Sequence, residues 1–156
     1  MKSSRADIVL VCSSGGHLLQ LSLLAEAWSA HSRVWVTNDR SDARSLLAGE
    51  RAAFVPGPSS RNAVAFLRNL AKAASMLPRI RPAVLITTGA DVAVPFAWVA
   101  KLLGARVVYI ESLTRLEELS LSAKLIAPIA DRLYVQWPEL QRAVRRSIYA
   151  GAVLSE

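Results

Sequence analysis

Ile8-Val9-Leu10-Val11-Cys12-Ser13-Ser14-Gly15-Gly16-His17 decides the fold. An unbroken apolar run of strand length stops in two hydroxyl residues and two glycines. His17 then opens a segment with helical apolar spacing at Leu18, Leu21, Leu24, Ala25 and Trp28. This is a strand, a tight turn and a helix. Glycines lack a Cβ and let backbone approach a ligand, and the free N–H groups of a following helix favour an anionic or polar oxygen. Gly15 and Gly16 therefore either make a sharp turn or hold a phosphate or sugar oxygen.

The rest of the chain repeats the strand–helix pattern. Arg33 to Thr37 reads as a second strand, residues 42–48 as a short helix ended by Gly49, and Ala52 to Val55 as a third strand cut off by Pro56-Gly57-Pro58. A long helix is expected from Ser60 to Leu77, then a strand from Ala83 to Ile86 and a second glycine junction, Thr87-Thr88-Gly89-Ala90-Asp91. A helix from Val92 to Leu103, a strand from Ala105 to Ile110, a helix within Leu116 to Ile129, a strand from Leu133 to Gln136, a helix through Arg145 and a last strand at Ile148 follow. Such alternation predicts one α/β domain over 1–156, a doubly wound, mostly parallel Rossmann-like sheet. Ligands of such sheets sit outside the carboxyl ends of the strands, so Ser13–His17, Thr87–Asp91 and Glu111–Arg115 should share one edge.

Composition narrows the function. The chain has 156 residues, is 53% hydrophobic and carries a formal charge of +7, which points to anionic partners and excludes disorder. The apolar stretch from Val92 to Leu103 is interrupted by Lys101 and is too short to span a bilayer, and no signal-peptide core opens the chain. A cytoplasmic protein without a membrane anchor is expected. Cys12 is the single cysteine and reads as a buried filler. No Asp-x-Asp pair or zinc spacing is present, so neither a metal nor a cofactor is expected. G-x-G-x-x-G and Walker motifs are absent as well. Basic and aromatic residues are not interleaved, which places nucleic-acid binding last.

On the helix from Ser60, Arg61, Arg68, Lys72 and Arg79 fall on one line, and Phe66, Leu67, Leu70, Ala74 and Leu77 fall opposite, the side expected to pack on the sheet. Residues 51–90 hold six basic side chains and no acidic one. The line is either a solvated face or a surface for anionic lipid at a peripheral membrane site.

Ser13-Ser14-Gly15-Gly16-His17, Thr87-Thr88-Gly89-Ala90, Lys101 to Ala105, Tyr109 to Ser112, Leu119 to Lys124, Pro128 to Arg132 and Val135-Gln136-Trp137-Pro138-Glu139 occur in that order. This set resembles the PssD-like family of polysaccharide biosynthesis proteins, and it is similar to the membrane-anchoring subunit of the two-part N-acetylglucosaminyltransferase of dolichol-linked oligosaccharide assembly. The resemblance implies the N-terminal, acceptor-side half of a split GT-B glycosyltransferase of UDP-GlcNAc or UDP-glucuronate type, inactive alone. Its partners would be a PssE-like donor-binding subunit and a polyprenyl-diphosphate-linked acceptor at the cytoplasmic membrane face.

The resemblance to the MurG-type transferases also implies roles. His17 is similar in position to their glycine-loop histidine, a candidate base or electrostatic partner of phosphate, unless it is a helix N-terminal residue oriented by a backbone carbonyl; Glu111 is the other candidate base, or an acceptor of sugar hydroxyls, unless it is tied to Arg115. Ser14, Gly15, Gly16, Thr88 and Gly89 would offer donors to diphosphate or sugar oxygens, and Ser112 and Arg115 would complete the binding set. A scaffold that recruits the transferase without joining the chemistry remains the alternative, with Trp35, Trp98 and Trp137 as interface or core residues.

Overall fold

In the computed structural model, which describes residues 5–57 and 62–154, β1 (Ile8–Cys12) is buried along its whole length. A strand covered on both faces needs a continuous apolar run, and Ile-Val-Leu-Val-Cys supplies it. Its residues alternate between two cores. Ile8, Leu10 and Cys12 pack with Leu18, Leu21, Trp28, Trp35, Ala43 and Leu47. Val9 and Val11 pack with Ala73, Leu77, Phe96, Ala97 and Ile126 on the opposite side.

The helices divide accordingly. α1 (Gly16–Leu23), α2 (Ala25–Trp28) and α3 (Ser41–Leu46) lie over one face, and α4 (Ala63–Ile80), α5 (Ala93–Leu102) and α6 (Leu121–Ile126) over the other. α7 (Pro138–Ala143) leads to the sheet edge. β1 pairs in parallel with β2 (Arg33–Asn38) on one side and β4 (Val84–Gly89) on the other. β3 (Ala52–Val55), β5 (Arg106–Ile110), β6 (Arg132–Val135) and β7 (Ile148–Tyr149) complete a seven-stranded parallel sheet of order β3-β2-β1-β4-β5-β6-β7. The expected doubly wound architecture is thus the observed one, and the strand order reverses between β1 and β4.

Three departures from the expected elements matter. β4 does not stop at Ile86 but runs on through Thr87 and Thr88, which are fully buried because each hydroxyl finds a partner: Gly89 N–H donates to Thr87 Oγ1 (2.9 Å) and Thr88 Oγ1 donates to the His17 carbonyl (2.8 Å). α6 is one short segment capped by Ser120 Oγ, which accepts from Ala123 N–H; the residues before it form a loop held down at the sheet edge.

The third concerns α4. Its buried face is Ala65, Asn69, Ala73, Leu77 and Ile80, roughly a quarter turn from the expected stripe. Small alanines let the helix lie close against its neighbours, and the larger Phe66 and Leu67 stay exposed at 38% and 60%. Arg68, Lys72 and Arg79 are exposed as expected, but beside an exposed apolar strip rather than opposite a buried one. Arg61 lies outside the described residues. Among the described residues no helix is long and apolar enough to cross a membrane.

Candidate functional site

At the β1–β4 switch the pairing slips by one residue. Val11 faces Thr87, yet Cys12 faces Gly89, so Thr88 is the extra residue of a bulge. Its carbonyl, released from the ladder, accepts a hydrogen bond from His17 Nδ1 at 2.8 Å. Because a carbonyl cannot donate, Nδ1 carries the proton, and in the neutral ring Nε2 is left as a lone-pair acceptor. Thr88 Oγ1 closes the pair by donating to the His17 carbonyl. The first turn of α1 is thereby tied to β4, with His17 half-buried in the wall of a cleft of about 760 Å³, within the range of small-ligand sites.

The glycine junctions do different work from each other. Gly15 takes φ +78°, a left-handed turn that favours glycine, and its N–H donates to Asp42 Oδ2 at 3.0 Å. The carboxylate of α3 therefore already sits on an amide expected to meet substrate. Ser14 and Gly15 line the cleft, and Gly16 is exposed beside them. Thr88 and Gly89, by contrast, are buried, and their polar groups are consumed by His17 and Thr87. Thr88 thereby positions His17, and neither Thr88 nor Gly89 lines the cleft, unlike Ser14 and Gly15.

Glu111 does not line the cleft. It is fully buried, and its carboxylate accepts from Ser112 N–H (2.8 Å), Ser120 N–H (2.8 Å) and Ser120 Oγ (3.1 Å). No ion pair to Arg115 is present among the described residues. The loop that follows is pinned again at Leu113, whose carbonyl accepts from Trp137 Nε1 at 2.7 Å, while Gln20 Nε2 of α1 donates to the Glu111 carbonyl at 2.9 Å. Between these anchors Ser112, Thr114 and Arg115 are presented to the cleft.

Behind the loop, Tyr109 Oη hydrogen-bonds both Ser120 Oγ (3.1 Å) and Ser122 Oγ (2.9 Å), and Ser122 Oγ accepts from Ala90 N–H (3.2 Å). Burial pushes the Tyr109 phenol up to about 12, so this link stays protonated. Gly89 has φ +101°, and a Cβ there would stand 2.3 Å from Tyr109 Oη. Gly89→Ala is expected to cost about 3 kcal/mol in chemical unfolding. Adding Tyr109→Phe, which removes the clashing oxygen, should return part of that loss.

Cys12 is buried, and burial raises its thiol to about 12, which suits a filler and not a nucleophile. Trp35 is core, whereas Trp98 is 40% exposed, its Nε1 donating to the Leu125 carbonyl of α6. Gln20, Asn38 and Asp42 were not expected at the site. Gln20 is a buried polar residue on the apolar face of α1, a signal open to sequence reading; the other two arrive through β2 pairing with β1.

Residues 8–153 match the family model described as "Oligosaccharide biosynthesis protein Alg14 like". The UDP-N-acetylglucosamine transferase subunit ALG14 of Candida albicans is 30% identical, covering 95% of this chain and 78% of the relative. The human subunit of the same name is 25% identical, covering 95% of this chain and 83% of the relative. Among solved structures, MurG of Acinetobacter baumannii superposes over 96% of this chain and 47% of its own, with TM-score 0.75 at 15% identity. UDP-N-acetylglucosamine 2-epimerase of Rickettsia bellii gives 0.73 at 14% identity, over 94% of this chain and 45% of its own. The chain thus spans about half the length of these solved structures, and with them it shares the fold. The extent of the family match and the near-full-length similarity to the ALG14 subunits make the chain a member of the Alg14-like family.

Proposed function

We propose that the chain is a subunit of a UDP-N-acetylglucosamine transferase and supplies the acceptor side of its cleft. The observation that carries this reading is one of extent: the chain corresponds to most of each relative named as a transferase subunit, but to half of MurG. A second polypeptide, the PssE-like donor half, would then close the cleft and bring the nucleotide sugar.

Within that assembly His17 Nε2 accepts the proton of the acceptor hydroxyl as its oxygen forms the new bond to the anomeric carbon. The bond from that carbon to the UDP oxygen breaks, and UDP leaves with the electron pair. The Thr88 carbonyl holds the Nδ1 proton in place and steadies the imidazolium that results. Glu111 shapes the binding loop instead of moving a proton. Arg115, with Ser112 and Ser14, faces the acceptor diphosphate.

The acceptor's polyprenyl tail would leave past Phe66, Leu121 and Leu125, apolar side chains that line the outer part of the cleft. The exposed Arg68, Lys72 and Arg79 fit a peripheral position on an anionic membrane surface at its cytoplasmic face. Flotation with vesicles of anionic and of neutral lipid should show binding to the anionic ones alone, weakened by salt and by charge reversal at Arg68 and Lys72. Equal, salt-independent binding to both removes the membrane role.

The function itself is tested by sugar transfer with each chain alone and with both. Transfer is expected from the pair alone. Full activity of the companion by itself would make this chain a scaffold, and full activity of this chain by itself would abolish the split-enzyme reading.

A further inference from the structure

Gln20 lies on α1 with 5% of its surface exposed, one turn after His17 and about 4.5 Å further along the helix axis on the same side. A buried primary amide must satisfy both its donor and its acceptor. Here Nε2 donates to the Glu111 carbonyl at 2.9 Å, and Oε1 accepts from Leu113 N–H at 3.4 Å. A carbonyl and an N–H two residues apart are the pair that a neighbouring parallel strand would engage. β5 ends at Ile110, and the side chain of Gln20 stands in for such a neighbour along the residues beyond it.

α1 is thereby fastened at two successive strand tips. His17 Nδ1 donates to the Thr88 carbonyl in β4, and Gln20 grips the backbone that follows β5, the strand paired with β4. The bonds of the Glu111 carboxylate stay within the loop, to Ser112 and Ser120, and Trp137 Nε1 ties Leu113 to the start of α7. Gln20 joins the same loop to the helix that carries the base. Ser112 sits between the two gripped residues and Arg115 two beyond them, and both line the cleft.

We propose that Gln20 is a positioning residue: it sets the reach between His17 Nε2 and the Ser112–Arg115 loop, and so makes the cleft selective for acceptors whose sugar hydroxyl stands at a fixed distance from a diphosphate. This deepens, and rests on, the acceptor-side reading. Binding energy gained at the diphosphate raises turnover only when it holds the hydroxyl at the base, which requires that the two contacts share one rigid support. α1, with Gln20 at its centre, is that support. An acceptor without the diphosphate draws nothing from the loop and is indifferent to where the loop stands.

The test is transfer by the two-chain enzyme to two acceptors, an N-acetylglucosaminyl diphosphate with a short isoprenyl tail and a neutral alkyl N-acetylglucosaminide. Wild type should prefer the first. Gln20→Met, an unbranched chain of similar length without the amide, should lower kcat/KM for the diphosphate acceptor about tenfold or more, with kcat falling as KM rises. The neutral acceptor should stay within about twofold of wild type. Gln20→Asn keeps the amide but is a methylene too short to span α1 and the loop, and should lose selectivity in the same way; it carries the comparison if Gln20→Met does not fold. His17→Ala, by contrast, should slow both acceptors alike.

Folded variants that keep the wild-type preference, or that lose both acceptors in proportion as a general weakening of the fold would, overturn the positioning role, as does a wild type without preference. Transfer to neither acceptor by wild type with its companion overturns instead the acceptor-side reading on which it rests.

Discussion

His17→Ala in the reconstituted two-chain enzyme is expected to lower kcat by 100-fold or more, with the acceptor KM changed little. A positioned general base contributes about 10²- to 10⁴-fold; the ring is held by its Nδ1–H bond to the Thr88 carbonyl, which leaves Nε2 as its one lone pair, while Thr88 Oγ1 ties down the His17 backbone carbonyl. The fold should survive, because the side chain is half-buried and Leu18 and Leu21 carry the packing of α1. His17→Asn, which offers an amide but no basic nitrogen, should be as slow as alanine. Turnover within a few-fold of wild type would remove His17 from the chemistry and leave it as a turn residue.

The second large effect is expected at Glu111, of a different kind. Glu111→Ala leaves the Ser112 and Ser120 N–H groups and the Ser120 hydroxyl without their acceptor and should cost roughly 3 kcal/mol in chemical unfolding. Transfer should fall through a raised acceptor KM, as the loop bearing Ser112 and Arg115 loses its hold. Glu111→Gln, which keeps one carbonyl acceptor, should recover part of both. A catalytic base would give the opposite signature: near-native stability, unchanged KM and a collapsed kcat. The pair of variants therefore separates the two residues that sequence reasoning left as rival bases.

Much of the fold was legible because apolar runs and turn residues agree with it. Ile8 to Cys12 and the glycines after it could be nothing but a buried strand and a tight turn, and the alternation that follows admits few topologies. What failed did so for physical reasons. Thr87 and Thr88 looked like loop because hydroxyls are rarely buried, yet a bulge and local hydrogen bonds satisfy them inside β4. The buried face of α4 was misplaced because periodicity weighs side-chain size, whereas close packing favours the alanines at 65 and 73. Phe66, left outside, lines the cleft with Val94, Leu121 and Leu125, and Leu67 stays exposed.

The site was legible in outline. Its three loops do meet at one edge, since parallel strands must put their carboxyl ends together. Which residue in each loop lines the cleft was not legible. A glutamate at a strand tip reads the same whether its carboxylate faces solvent or is folded back on backbone amides, and nothing local in sequence distinguishes Gly15 from Gly89. Asn38 and Asp42 enter through the β1–β2 register, a long-range pairing without a motif of its own.

The claim on which the rest depends is that this cleft receives the lipid-linked acceptor and not the nucleotide sugar. Calorimetric titration of the isolated chain with UDP-N-acetylglucosamine, and separately with a short-tailed sugar diphosphate acceptor, tests it directly. The account predicts binding of the acceptor, abolished by disrupting the Arg115 loop, and no heat with the nucleotide sugar. Saturable binding of UDP-N-acetylglucosamine that is lost on substitution of Ser14 or His17 would contradict it.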